Sequence, residues 1–305
     1  MTPRLDAKIT DLLKEGEFTL SAEVMPPRNG ASAALILQEV NCLKNAGAQF
    51  IAVTKGAGGS LRGGSLPIAQ MIKENLQTPC IAHFTCRDLQ AEEVENQLMD
   101  HHYFGIRNIL ALRGDPPQGT TEWKAREGSY NYAYQLVEQI KNLNEGRYLE
   151  RPGFTSAPRE RTDFCIGVAA YPDHPEASER TEFFRRKVEA GAEFAITQIL
   201  FDEDSYSRFL DESAKAGIDI PVLPGTRLLR SQAQAQRMAS RFGLHVSAKL
   251  LSRLPATDAE ASNERTLEVF EDFTQELKKR GAPGLHIFVL QDLTLAEAML
   301  RSLTK

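Results

Sequence analysis

The chain has 305 residues, 42% hydrophobic and 25% charged, an ordinary globular composition with length enough for a large core. A net charge of −5 speaks against nucleic acid or an anionic membrane surface as a partner. Charges interrupt the long apolar stretches, so no membrane span is expected, and the N-terminus MTPRLDAKITDLLKEGE reads as a polar-faced helix rather than a signal peptide.

In chain order, 18–25 alternates as a strand and stops at Pro26-Pro27, and 31–46 has helical spacing closed by Gly47. A short apolar strand at 49–54 precedes a glycine-rich loop, 56–64. Helix 66–76, strand 80–85 and helix 91–102 follow. The next strand, 107–112, ends in Arg113-Gly114-Asp115 before two prolines. Beyond it come helix 132–144, strand 163–170, helix 179–191, strand 194–199, helix 204–216, strand 220–223 and helix 232–242. Helix 266–280, strand 285–290 and helix 293–303 complete the chain. Eight strands, nearly all followed by a helix, predict a single α/β domain over 1–305 folded as a (β/α)8 barrel; an open doubly wound sheet is the alternative. The polar stretch 142–161 (NLNEGRYLERPGFTSAPRER) reads as an insertion loop away from the mouth, and 256–264 as a second loop.

Four cysteines without CxxC or zinc spacing read as buried thiols of a reducing compartment, which predicts a cytoplasmic protein. No His or Cys pair has ligand spacing, so no metal site is expected.

In a barrel, chemistry collects at the strand C-termini. Strand one carries Glu23 and ends at Arg28; strand two delivers Thr54, Lys55, Gly56 and Ala57; strand three, His83; strand four, Arg113, Gly114 and Asp115. Strand five delivers Tyr171 and His174, strand six Gln198, strand seven Arg227, strand eight Gln291 and Asp292. Glu23, inside the apolar strand SAEVM, is the best acid–base candidate. Burial there is expected to raise its pKa toward neutrality. An outward-facing or internally paired glutamate is the bland alternative. Arg113 with Asp115 can be a local ion pair, His83 a satisfied core histidine, and the loop GAGGSLRGG a phosphate cradle or a mobile cover.

The motifs AEVMPPR, VTKGAGGS, AHFTC, ALRGDPP, YNYAYQLV, VAAYPDHPEA, RRKVEAGAEFAITQILFD, AGIDIPVLPG and LHIFVL run over nearly the whole chain in one order. In these the chain resembles the bacterial 5,10-methylenetetrahydrofolate reductase family. The resemblance implies a flavin-containing (β/α)8 barrel with FAD as cofactor and NADH or NADPH as co-substrate. The substrate it implies is methylenetetrahydrofolate, reduced in a ping-pong reaction to 5-methyltetrahydrofolate. It implies Glu23 as general acid and Asp115 as the catalytic aspartate beside flavin and pterin. It implies cofactor contacts at Thr54, Lys55, Ala57, His83, Arg113, Gly114, Asp115, Tyr132, Ala133, Tyr171, His174, Ala177, Arg186 and Lys187, with Arg113 and Lys187 facing the diphosphate. Gln198, Gln234, Met238 and Asp292 fall at substrate positions. A homo-oligomer is expected, and no S-adenosylmethionine-binding regulatory domain.

Several residues depart from the family pattern. Lys55 stands where an aromatic is usual, Met238 replaces a phenylalanine, Thr226-Arg227 replaces an apolar residue and a proline, and Asp292 replaces a basic or neutral residue. The segment after His174 is about three residues short by position-matching, which puts Arg180 nearest the place of a usual aspartate. These changes raise three alternatives: a flavin-independent methylene-pterin reductase, a subunit fed by an electron-transfer partner protein, and a non-catalytic binding partner.

Overall fold

A computed structural model describes residues 7–14, 16–27, 30–56, 64–116, 125–151, 159–290 and 292–304. Among them eight parallel strands close into a barrel in sequential order. They are β1 (Thr19–Val24), β2 (Phe50–Val53), β3 (Cys80–Thr85), β4 (Asn108–Leu112), β5 (Cys165–Ala170), β6 (Phe194–Ile199), β7 (Val222–Thr226) and β8 (Gly284–Phe288). The helices are α1 (Ile9–Lys14), α2 (Ala33–Asn45), α3 (Ser65–Leu76), α4 (Ala91–Tyr103), α5 (Ala133–Asn144) and α6 (Ala177–Ala190). They continue with α7 (Glu203–Lys215), α8 (Gln232–Phe242), α9 (Ala248–Arg253), α10 (Asn263–Lys279) and α11 (Leu293–Leu303). The barrel is therefore the expected one, and the open sheet is excluded because β8 pairs back onto β1.

Short polar side chains start several helices by accepting free backbone N–H groups: Ser32 for α2, Asp202 for α7, Ser262 for α10 and Asp292 for α11. Strand side chains alternate between two apolar layers. The outer layer joins strands to helices through residues such as Val24, Ile51, Phe84, Ile109 and Val168. The inner layer holds Phe50, Ala52, Ile81, Leu110, Cys165, Phe194, Ile196 and Leu223, and α1 closes it from below with Ile9, Leu12 and Leu13. Asn108 fastens this plug: its Oδ1 accepts Ile9 N–H at 3.0 Å and its Nδ2 donates to Ala7 O at 3.1 Å.

Three differences from the sequence reading have local causes. The seventh strand runs through Pro224-Gly225 instead of ending at Leu223. A register shift in β6 between Ile196 and Ile199 accommodates it, and Gly225 N–H donates to Thr197 Oγ1 at 2.8 Å. The eighth strand stops at Phe288, because Leu290 takes a left-handed φ of 52°. A short helix, α9, and a single 3-10 turn at Asp258–Glu260 lie where loop was expected in part. Of the 142–161 stretch, Asn142–Asn144 close α5 and are not loop, and its other described residues lie between α5 and β5, on the side away from the strand C-termini. They are tied to α4: Glu95 accepts Leu149 N–H at 2.7 Å and pairs with Arg151 at 3.1 Å. No helix of the described residues is long and apolar enough to cross a membrane.

Candidate active site at the barrel mouth

Above the apolar inner layer the barrel interior turns polar. Ser21 and Glu23 alternate inward on β1, with Ser21 level with His286 and Glu23 level with Phe288 on β8. Glu23 Oε2 lies 3.3 Å from His83 Nε2 and 3.6 Å from His286 Nε2. Both nitrogens are buried, and neither hydrogen-bonds another described residue. The other nitrogen of His286 sits 2.8 Å from Ser21 Oγ. The His286 ring lies over Phe50 and edge-on to Phe288, at centroid distances of 6.3 and 5.2 Å. Gly225 makes room for Phe288: a Cβ there would meet its ring at 2.5 Å.

This arrangement corrects the expected protonation of Glu23. Burial does raise the carboxyl pKa, as expected, but the His83 imidazole first, and His286 with it, lie close enough to override that. The group is held at about 2. Glu23 is inward and internally paired, with an imidazole on either side of its carboxylate.

A second group gathers at the ends of β4 and β5. Gly114 has a φ of 94°, and a Cβ there would meet Arg87 Cβ at 2.9 Å, so the turn from Arg113 to Asp115 requires glycine. Arg87 spans the same turn, with its backbone N–H on Arg113 O at 2.8 Å and its guanidinium on Asp115 O. Lys187 of α6 reaches back to Ala169 O at 2.8 Å and lies 5.2 Å from the centre of the Tyr171 ring. Burial, with Arg113 adding to it, pushes the Lys187 ammonium down to about 8. Burial also raises the Tyr171 hydroxyl, with Asp115 adding and Arg113 opposing. Arg113, Asp115, Tyr171 and Lys187 thus share one electrostatic neighbourhood. Lys187 forms no ion pair with a described carboxylate. Two neighbouring cations suit a phosphate-bearing ligand.

His174 follows on the β5–α6 loop. Arg180 holds that loop: its guanidinium donates to His174 O and meets both Glu212 oxygens, from Nη2 at 2.8 and 2.7 Å. Arg180 is 8% exposed and committed to this clamp, so it does not stand in for the missing aspartate as a ligand group. Tyr132 stacks on Tyr134 and Phe183 at 5.2 and 5.8 Å, just before Ala133 opens α5. Thr54 is buried at the end of β2, and Ala177 is the first residue of α6.

A third group forms the rim over β7 and β8. Gln198 follows the β6 irregularity and accepts Ile199 N–H at 2.9 Å. Gln234 accepts Arg230 N–H at 2.7 Å. Arg230 pairs with Asp292 at 2.7 Å, and Met238 Sδ accepts from Arg227 at 3.3 Å.

Two residues lie apart from these groups. Lys55 turns into the helix layer, with Nζ 4.4 Å from the Phe84 ring and 3.1 Å from Gln97 Oε1. Arg186 is on the exposed face of α6, paired with Glu182 at 2.7 Å. Ala57, Arg28, Gln291 and loop residues 57–63 fall outside the described residues. The sequence reading missed Ser21 and His286. The available signal was parity: a lone histidine in LHIFVL lies two residues from Phe288, on the same face of the strand.

A closed parallel barrel whose mouth gathers an acid–histidine group and a cation pair defines this molecule as an α/β-barrel enzyme. The family model described as methylenetetrahydrofolate reductase matches residues 8–304. The 5,10-methylenetetrahydrofolate reductase of Escherichia coli (strain K12) is 30% identical over 295 residues, covering 95% of this chain and 92% of that protein. Methylenetetrahydrofolate reductase 1 of Schizosaccharomyces pombe is 29% identical over 93% of this chain. Methylenetetrahydrofolate reductase (NADH) 1 of Arabidopsis thaliana is 28% identical over the same share. The chain spans about half the length of those two relatives, 46% and 48%. Among solved structures, an uncharacterized Clostridium thermocellum protein described as binding two copies of 5-methyl-5,6,7,8-tetrahydrofolic acid superposes with a TM-score of 0.60. It covers 97% of this chain at 12% identity, a likeness of fold. The chain belongs to the methylenetetrahydrofolate reductase family, and it is an oxidoreductase.

Proposed function

We propose that this barrel reduces 5,10-methylenetetrahydrofolate to 5-methyltetrahydrofolate, with FAD at its mouth and NADH or NADPH as the electron donor. The observation that carries the reading is the Glu23–His83–His286 group, a carboxylate set against two imidazoles beside a mouth that also carries Arg113 and Lys187.

FAD, when bound, supplies the hydride relay between donor and folate. The residues at the ends of β4 and β5 fit it. Arg113 and Lys187 would take the diphosphate, and the glycine backbone at 114 admits close approach. Tyr171, His174, Tyr132, Ala133, Ala177 and Thr54 would complete its binding surface. Asp115 contributes a negative charge at the same strand end, suited to the pterin's cationic character. Opening the five-membered ring of the folate requires a proton at N10. Glu23 would deliver it, recharged through His83 and His286. Substrate that displaces water from the carboxylate favours its protonated form, which moves the proton onto Glu23 when it is needed. Gln198 and Gln234 offer amides to the mixed donors and acceptors of the pterin.

Lys55, which with the missing aspartate after His174 raises the flavin-independent alternative, lies in the helix layer, and this favours the flavin-bound reading. Retention of Glu23 and Asp115 speaks against a non-catalytic binding partner, and the relative named as an NADH enzyme favours a direct nicotinamide donor over an electron-transfer partner protein. A cytoplasmic homo-oligomer completes the proposal, and the free buried thiols of Cys80, Cys86 and Cys165 fit a reducing compartment.

The test is an anaerobic absorbance titration after incubation with FAD. Retained yellow colour, bleaching by NADH or NADPH, and recovery on adding methylenetetrahydrofolate are expected. A protein that retains no flavin overturns the flavin-bound reading.

A further inference from the structure

On β7, Leu223 belongs to the inner layer and Gly225 faces the Phe288 ring, and Arg227 is the first residue beyond the C-terminal end of the strand. Thr226 points the other way and donates to Leu200 O at 3.0 Å. Arg227 is half-buried, and its Nη1 donates to the thioether of Met238 at 3.3 Å. Among the described residues no carboxylate forms an ion pair with it. Asp292, the nearby acid, is already committed: it takes two bonds from Arg230, at 2.7 and 2.8 Å, and caps α11 at Leu295 N–H. Two arginines at this strand end therefore share one carboxylate, and Arg227 is left with the surplus charge.

A half-desolvated guanidinium without an acid favours binding of an external anion, and its fork matches a carboxylate. The substrate proposed above ends in a glutamyl group with two carboxylates, and Gln234 adjoins the same rim. We infer that Arg227 is a specificity-determining residue that binds a carboxylate of the substrate's glutamyl tail. This assignment rests on the pterin reading of the site.

The test compares binding of 5-methyltetrahydrofolate and of its bis-amide, in which both glutamyl carboxyls are neutral, to the FAD-loaded protein by calorimetry. Wild type is expected to prefer the acid by about 10-fold or more, as a charge-assisted hydrogen bond would give. Arg227→Gln should weaken the acid to the level of the bis-amide and leave the bis-amide unchanged. Arg227→Lys, which keeps the charge, should retain part of the preference. Equal binding of both compounds by wild type overturns the inference, as does equal weakening of both by Arg227→Gln. So does a variant that binds both compounds normally but is reduced more slowly by NADH or NADPH, which would give Arg227 to the nucleotide. Binding of neither compound by wild type overturns the pterin reading itself, and the inference with it.

Discussion

The Glu23 carboxylate of β1 and the His83 imidazole of β3 face each other at 3.3 Å across the barrel mouth, where apolar packing gives way to ionisable groups. For Glu23→Gln, reduction of flavin by the nicotinamide should stay within a few-fold of wild type. Reduction of methylenetetrahydrofolate should fall about 100-fold or more, the scale of a lost general acid. Stopped-flow measurement of the two half-reactions separates them, and equal loss in both would reassign Glu23 to flavin binding.

His286 acts on Glu23 from the other side and is itself oriented by Ser21. Replacing it with Phe, which suits its aromatic surroundings, removes one of the influences that lower the carboxyl pKa. The Glu23 limb of the pH profile for folate reduction should then move to higher pH. Ser21→Ala should move it the same way by less. A purely structural role for His286 would lower stability without moving that limb.

The depressed pKa of Glu23 also links stability to pH. Its folded-state value is about 2 against an ordinary 4.5, so its stabilising contribution is complete above 4.5 and is lost as pH falls through about 2. Denaturant unfolding at a series of acid pH values should show a shallower loss of stability for Glu23→Gln than for wild type across that window. Parallel curves would mean that the carboxylate is not stabilised by the imidazoles.

The Arg180–Glu212 pair fixes the His174 loop. Glu212→Ala leaves a buried guanidinium without its acid and should cost about 3 kcal/mol of stability. Flavin retention should weaken along with it. The double replacement Arg180→Met with Glu212→Leu should recover stability without recovering flavin. Recovery of both would show that the clamp serves only the fold.

Gly114→Ala places a side chain on a backbone with φ of 94°, against Arg87. A loss of about 1–3 kcal/mol is expected, from strain and crowding together. Weaker FAD binding should accompany it, measurable by fluorescence titration. An alanine variant with unchanged stability would contradict the described turn.

The alternation of apolar strands with amphipathic helices was enough to read the barrel, because hydrophobic period is a local property of the chain. The strand-end rule then placed Glu23, His83, Arg113, Asp115 and Gln198 at the mouth, and the family motifs gave them roles. What each residue faces is not a local property. Lys55 follows Thr54 by one position, and strand parity sends it into the helix layer. Glu23 has the opposite pKa shift to the one its apolar strand suggests. Its partners, His83 and His286, come from β3 and β8, and only closure of the barrel brings 286 beside 23. Arg180 and Glu212, Arg230 and Asp292, are pairs of the same kind. Sequence by itself determined the architecture and the inventory of groups at the mouth. The tertiary structure decided which charges neutralise one another and which are left for a ligand, because electrostatic energy depends on distance and burial rather than on position along the chain.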